Sequence, residues 1–89
     1  MASVITAVEV EDYDRWRSQF DSMEGHRREH GIVGGRVYQD VATPNLVTVV
    51  IEGDLSDLQA YMGSQALKDS MAEGGVVGPP QVSIVNEVT

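Results

Sequence analysis

The chain has no cysteine. That excludes disulfide staples, thiolate metal sites and thiol nucleophiles, and it suits a reducing compartment. Basic residues are scarce, six against fourteen acidic ones, for a net charge of -8. Nucleic acid and anionic membrane surfaces are poor partners for that balance. No apolar run approaches the roughly 18 residues of a membrane span. The N-terminus lacks a basic start followed by a long apolar stretch, so no signal peptide is expected and the reading is cytoplasmic. What remains is a chain of 89 residues, 42% hydrophobic and 22% charged, the composition of a folded protein. That length gives one domain, residues 1–89, which buries roughly 60–65% of its unfolded surface around one modest core.

Six elements follow from the patterning. Ser3 to Val10 is β-branched and apolar on both alternating sets, which predicts a strand covered on both sides. Asp12 is an N-cap for a helix whose inward stripe is Trp16, Phe20, Met23, Arg27 and His30, at steps of four and three, with Gly31 as its stop. Gly25 inside that helix marks a kink or the close approach of another element. Ile32 to Val41 predicts a strand with a bulge at Gly34-Gly35, joined through the turn at Pro44 to the strand Leu46 to Glu52. A second helical segment carries Leu58, Tyr61 and Met62, stops at Gly63, restarts at Ser64 with Leu67 and Met71, and ends at Gly74-Gly75. Val76 to Pro80 reads as a loop able to close over a cleft, and Gln81 to Val88 as the last strand.

The order β-α-β-β-α-β is the ferredoxin-like, split βαβ arrangement of the α+β class. It gives a four-stranded antiparallel sheet with both helices on one face. The other face is then bare. Leu46, Thr48 and Val50 alternate with Val47, Val49 and Ile51, so neither face of that strand is solvent-like. An exposed apolar face of that kind predicts a partner, most simply a second copy in a homodimer.

Longer stretches carry a resemblance. EDYDRWRSQFD after the first strand, RREHGIVGGRVYQD, the turn and strand TPNLVTVVIE, and GVVGPPQV resemble the dimeric α+β barrel superfamily, which includes the antibiotic biosynthesis monooxygenases and small actinobacterial proteins labelled cyclase or monooxygenase. The resemblance spans nearly the whole chain. It implies two sheets packed into a barrel across a dimer, with a cleft between helices and sheet in each subunit. It also implies a small cofactor-free enzyme of aromatic or polyketide-type metabolism, an oxygenase or a cyclase or isomerase acting by proton abstraction. Relatives of this kind deprotonate a phenol or quinol and let its anion meet oxygen, often with an Asn-Trp-Tyr-Arg set. Here the Trp is Trp16, and Asn45 and Asn86 are the asparagines.

Such chemistry needs a base, a donor for the developing oxyanion and an apolar slot. His30 on the inward stripe is the expected base; the structural alternative is a helix-terminal histidine favoured by the dipole. Arg27 would bind the anion, or else pair with Glu24 or Asp40. Tyr38 would donate to an oxyanion if it points inward, and would lie at a rim or dimer surface if outward. Trp16, Phe20, Met23, Tyr61 and Met62 would hold an apolar or aromatic molecule, or simply pack. His26 and His30, four apart, supply two metal positions, with Glu52 or Asp40 as the third ligand. No cofactor is favoured. Two alternatives stand beside the enzyme: a non-catalytic dimer holding a small molecule or haem, and a metal-binding protein using His26 and His30.

Overall fold

A computed structural model describes residues 1–88. The elements are β1 (Ala2–Val10), α1 (Tyr13–Ser22), α2 (Glu24–Glu29), β2 (Val33–Gln39), β3 (Leu46–Gly53), α3 (Leu55–Met62), α4 (Gln65–Glu73) and β4 (Val76–Asn86). The four strands form one antiparallel sheet in the order β2-β3-β1-β4, as the ferredoxin-like reading requires. β1 pairs with β3 from Ala2 opposite Gly53 to Glu9 opposite Leu46. That register aims Val4, Thr6 and Val8 at the helices beside Ile51, Val49 and Val47. With Leu58 from α3 and Trp16 from α1, these residues make the core. Val4 and Leu58 are fully buried.

The single long helix expected after β1 is two helices. Asp12 caps α1 through its carboxylate, which accepts from the Asp14 N–H at 3.0 Å. The chain then leaves helical geometry at Met23 (φ -88°, ψ 2°), which ends α1 and opens α2. The kink is therefore at Met23. Gly25, two residues on, meets nothing within 4 Å of where a Cβ would stand, so no element approaches it.

The Gly34-Gly35 bulge is present. The β2–β3 register shifts between Val33 and Arg36, and both glycines take positive φ, +71° and +159°. The loop expected at Val76 to Pro80 is instead the start of β4, pairing Val76 with Val10 and Val77 with Glu9. The shift between Ala7 and Glu9 absorbs the prolines as an irregularity. β4 is an edge strand, where a residue without an N–H leaves no ladder bond unmade on the free side. The segment is thus part of the sheet and is not a cover for the cleft.

The helices cover one face only. The open face carries Ile5, Leu46, Val77 and Val85, each more than a third exposed, among Glu9, Arg36, Tyr38 and Glu52.

Candidate active site

Between the helices and the sheet lies a cavity of about 60 Å³. Its floor is Thr6, Val8, Val49 and Ile51 from the sheet. Trp16, Phe20, Met23 and Arg27 wall it from α1, the break and α2, and Tyr61, Met62, Leu67, Ser70 and Met71 from α3 and α4. The expected substrate-holding residues Trp16, Phe20, Met23, Tyr61 and Met62 all meet here. Trp16 and Phe20 stack with ring centroids 5.2 Å apart.

Arg27 stands out by its surroundings. It is 6% exposed, and one guanidinium nitrogen (Nη1) donates to the Phe20 carbonyl at 2.9 Å. The guanidinium carbon lies 3.9 Å from the centre of the Phe20 ring, a close cation–π contact. Arg27 follows Phe20 by seven residues, beyond the break at Met23, and reaches back across it to that carbonyl. Neither expected ion pair forms. Glu24 pairs with Arg28 at 2.9 Å, and Asp40 accepts the N–H groups of Ala42 and Thr43 in its own turn. Arg15, Arg17, Arg28 and Arg36 each have a carboxylate within 4.0 Å. Among the described residues, the buried arginine is the one without a carboxylate.

Tyr61 is 4% exposed and lines the same cavity. Burial pushes its phenol above the ordinary value of 10.0, and the Arg27 guanidinium beside it opposes that rise. Tyr61 is therefore a neutral hydrogen-bond donor at physiological pH.

The two histidines lie elsewhere. Neither His26 nor His30 lines the cavity. Their rings sit 4.6 Å apart and pack against the ring of Tyr61, at 5.6 and 5.8 Å between centroids. His30 is the C-cap residue of α2, and its backbone N–H closes that helix onto the His26 and Arg27 carbonyls. This corrects the placement of His30 at the cleft: of the two stripe residues Arg27 and His30, Arg27 lines the cavity, and His30, as the C-cap residue of α2, packs against the Tyr61 ring. The expected third metal ligand is engaged in other contacts. Glu52 bonds Arg36 at 3.2 Å, Asp40 caps its turn, and no group of three metal-ligating side chains forms among the described residues. No imidazole lines the cavity.

Tyr38 lies on the other side of the sheet. It pairs with Thr48, which pairs with Ala7, on the open face, and it is 50% exposed. The outward alternative holds, so Tyr38 does not face Arg27. Asn45 is in the β2–β3 turn, where its amide donates to the Glu11 carbonyl, and Asn86 ends β4. Of the Asn-Trp-Tyr-Arg types, Trp16, Tyr61 and Arg27 converge on the cavity, and neither asparagine does. Sequence reasoning missed Thr6, Gln19 and Ser70 as polar members of the wall. Ser70 was readable, since it falls on the Leu67–Met71 stripe of α4, and so was Thr6, between Val4 and Val8.

This fold is that of the antibiotic biosynthesis monooxygenase-like proteins, and the cavity is the cleft between helices and sheet. A structure from Bordetella bronchiseptica, provisionally assigned as an antibiotic biosynthesis monooxygenase, matches with a TM-score of 0.81 at 14% identity, covering 99% of this chain and 97% of that one. SnoaB, a cofactor-independent oxygenase from Streptomyces nogalater, matches with a TM-score of 0.79 at 8% identity, covering 99% and 93%. A conserved protein from Methanosarcina mazei Go1 matches at 0.77 and 17% identity, covering 98% and 92%. No family model and no curated protein matches the sequence. At such identities the likeness is one of fold.

Proposed function

We propose that the chain is a small cofactor-independent enzyme that binds a weakly acidic aromatic or enolic molecule as its anion. The observation that carries this reading is the buried Arg27 guanidinium, without a carboxylate, at the wall of an otherwise largely apolar cavity. A cation held in that way favours a ligand's ionised form and lowers the ligand's pKa. Tyr61 donates to the same oxygen, and Trp16, Phe20 and Met23 hold the ring. In an oxygenase, the stabilised anion passes electrons to dioxygen and a C–O bond forms. For a ring CH₂ that becomes C=O, one oxygen atom stays and the other leaves as water. In a cyclase or isomerase the same anion is reprotonated or closed at another carbon. His30 reaches this site only through the Tyr61 ring, so it acts by holding Tyr61.

SnoaB's description as a cofactor-independent oxygenase supports the oxygenase branch. Dioxygen uptake with a naphthoquinol tests it, with the uncatalysed oxidation subtracted. The expected result is uptake that Arg27→Met abolishes and Tyr61→Phe reduces. Turnover equal in wild type and Arg27→Met removes the reading. We propose further that the half-apolar open face, with Ile5 at its centre, is the contact of a homodimer.

A further inference from the structure

The chain holds four methionines and no cysteine, so its only sulfur is thioether. Met1 is 78% exposed. The other three, Met23, Met62 and Met71, are partly buried, and all three line the cavity between helices and sheet. Methionine commonly fills irregular space, and packing gives the three the same standing. Met23 differs in its neighbour. The backbone N–H of Arg27 donates to the Met23 carbonyl at 3.0 Å, so the two side chains leave the chain one helical turn apart. Both line the cavity. A guanidinium carries five N–H donors. That of Arg27 gives one to the Phe20 carbonyl and has no carboxylate among the described residues. Oxidising a buried thioether ordinarily strands a polar oxygen among apolar groups. At Met23 that oxygen meets a donor. Room is also present. A water needs roughly 10–15 Å³ of such space, so a cavity of about 60 Å³ admits hydrogen peroxide, with its two oxygens, beside the sulfur.

We propose that Met23 is a peroxide-reactive site whose sulfoxide is held by Arg27. The sulfur lone pair attacks one oxygen of hydrogen peroxide, and the S–O bond forms as the O–O bond breaks. The proton on the attacked oxygen passes to the leaving one, which departs as water. Sulfur loses two electrons and the peroxide gains them. The leaving oxygen carries the developing negative charge, and the Arg27 guanidinium stabilises it there. The same guanidinium then donates to the sulfoxide oxygen. Resting on the anion-binding reading above, the oxidised side chain takes the donor that an anion uses. Oxidation of Met23 therefore closes the site until a sulfoxide reductase restores the thioether.

The six basic residues put each methionine in its own tryptic peptide, so digestion and mass spectrometry follow all four oxidations at once. The folded protein is exposed to dilute hydrogen peroxide, with exposed Met1 as the solvent standard. Met23 is expected to gain oxygen at least fivefold faster than Met62 and Met71. Arg27→Leu and Arg27→Gln are each expected to remove that lead and to leave Met1 unchanged. A folded wild type in which Met23 has no lead overturns the inference. So does a lead that persists in either variant with native circular dichroism. Unfolding of both variants overturns it too, since Arg27 is then held by the fold and not kept for an oxygen. The closing of the site is read with 4-nitrophenolate, titrated by quenching of Trp16, the only tryptophan, which lines the cavity. Peroxide sufficient for Met23 is expected to weaken its binding at least tenfold in wild type. In Met23→Leu, whatever its starting affinity, peroxide is expected to change nothing. Equal binding before and after Met23 oxidation overturns the closing. Failure of the unoxidised protein to bind 4-nitrophenolate overturns the anion-binding reading and the closing with it, and leaves the reactivity of Met23 to stand or fall on the peptides.

Discussion

Replacing Arg27 by methionine separates an arginine kept for a ligand from one kept for the fold. The substitution removes a charge-assisted hydrogen bond to the Phe20 carbonyl at 2.9 Å, a contribution of about 1.5–3 kcal/mol. It also removes the cation–π contact with Phe20 at 3.9 Å, about 1–2 kcal/mol when desolvated. Against these stands the cost of holding a guanidinium at 6% exposure without a counter-charge, which is several kcal/mol. Nothing charged is stranded by the change, because Arg27 has no ionic partner among the described residues. The Phe20 carbonyl keeps a donor, the Met23 N–H at 3.1 Å. Methionine adapts its shape to the space and adds apolar contact with Phe20. The opposing contributions nearly cancel, so the variant is expected within about 1.5 kcal/mol of wild type, on either side. Urea unfolding read by Trp16 fluorescence and far-ultraviolet circular dichroism measures this, at one fixed protein concentration because association shifts the midpoint. The same variant is expected to lose 4-nitrophenolate binding. A stability loss above about 3 kcal/mol would mark Arg27 as a structural residue, and the argument from its missing carboxylate would fail.

Three other outcomes follow from the geometry. Tyr61 ionises less readily in the folded protein than in the unfolded chain, so its contribution is full below pH 10.0 and is lost as pH rises through its folded value. Melting temperatures between about pH 8.5 and 11 should fall more steeply for wild type than for Tyr61→Phe; parallel curves would refute the burial of that hydroxyl. Gly31 sits at φ +74°, and a Cβ there would stand 2.7 Å from the Asp57 carboxylate. Gly31→Ala should cost about 1–2 kcal/mol in backbone strain plus a clash share, and adding Asp57→Ala should return only the clash share in a double-mutant cycle. Ile5→Glu on the open face should convert a sedimenting dimer to a monomer with its circular dichroism intact; a wild type that sediments as a monomer would remove the dimer proposal.

The architecture was legible in the sequence because its causes are local. Asp12 capping a helix, the β-branched runs Ser3 to Val10 and Leu46 to Glu52, and the Gly34-Gly35 interruption specify helix, strand and bulge within a few residues of themselves. The gathering of Trp16, Phe20, Met23, Tyr61 and Met62 around one space was likewise readable, since helical spacing alone puts them on inward stripes. Three features were decided only by tertiary structure. The break falls at Met23, two residues ahead of the Gly25 that marked a kink in the sequence. Of the two inward-stripe residues Arg27 and His30, the arginine lines the cavity and the histidine packs against the Tyr61 ring. The side taken by Tyr38 depended on a bulge whose count of extra residues is fixed by pairing with β3. The prolines of β4 read as a loop because a proline's cost depends on which edge of a sheet it meets, and a neighbouring strand is not a local property of the chain.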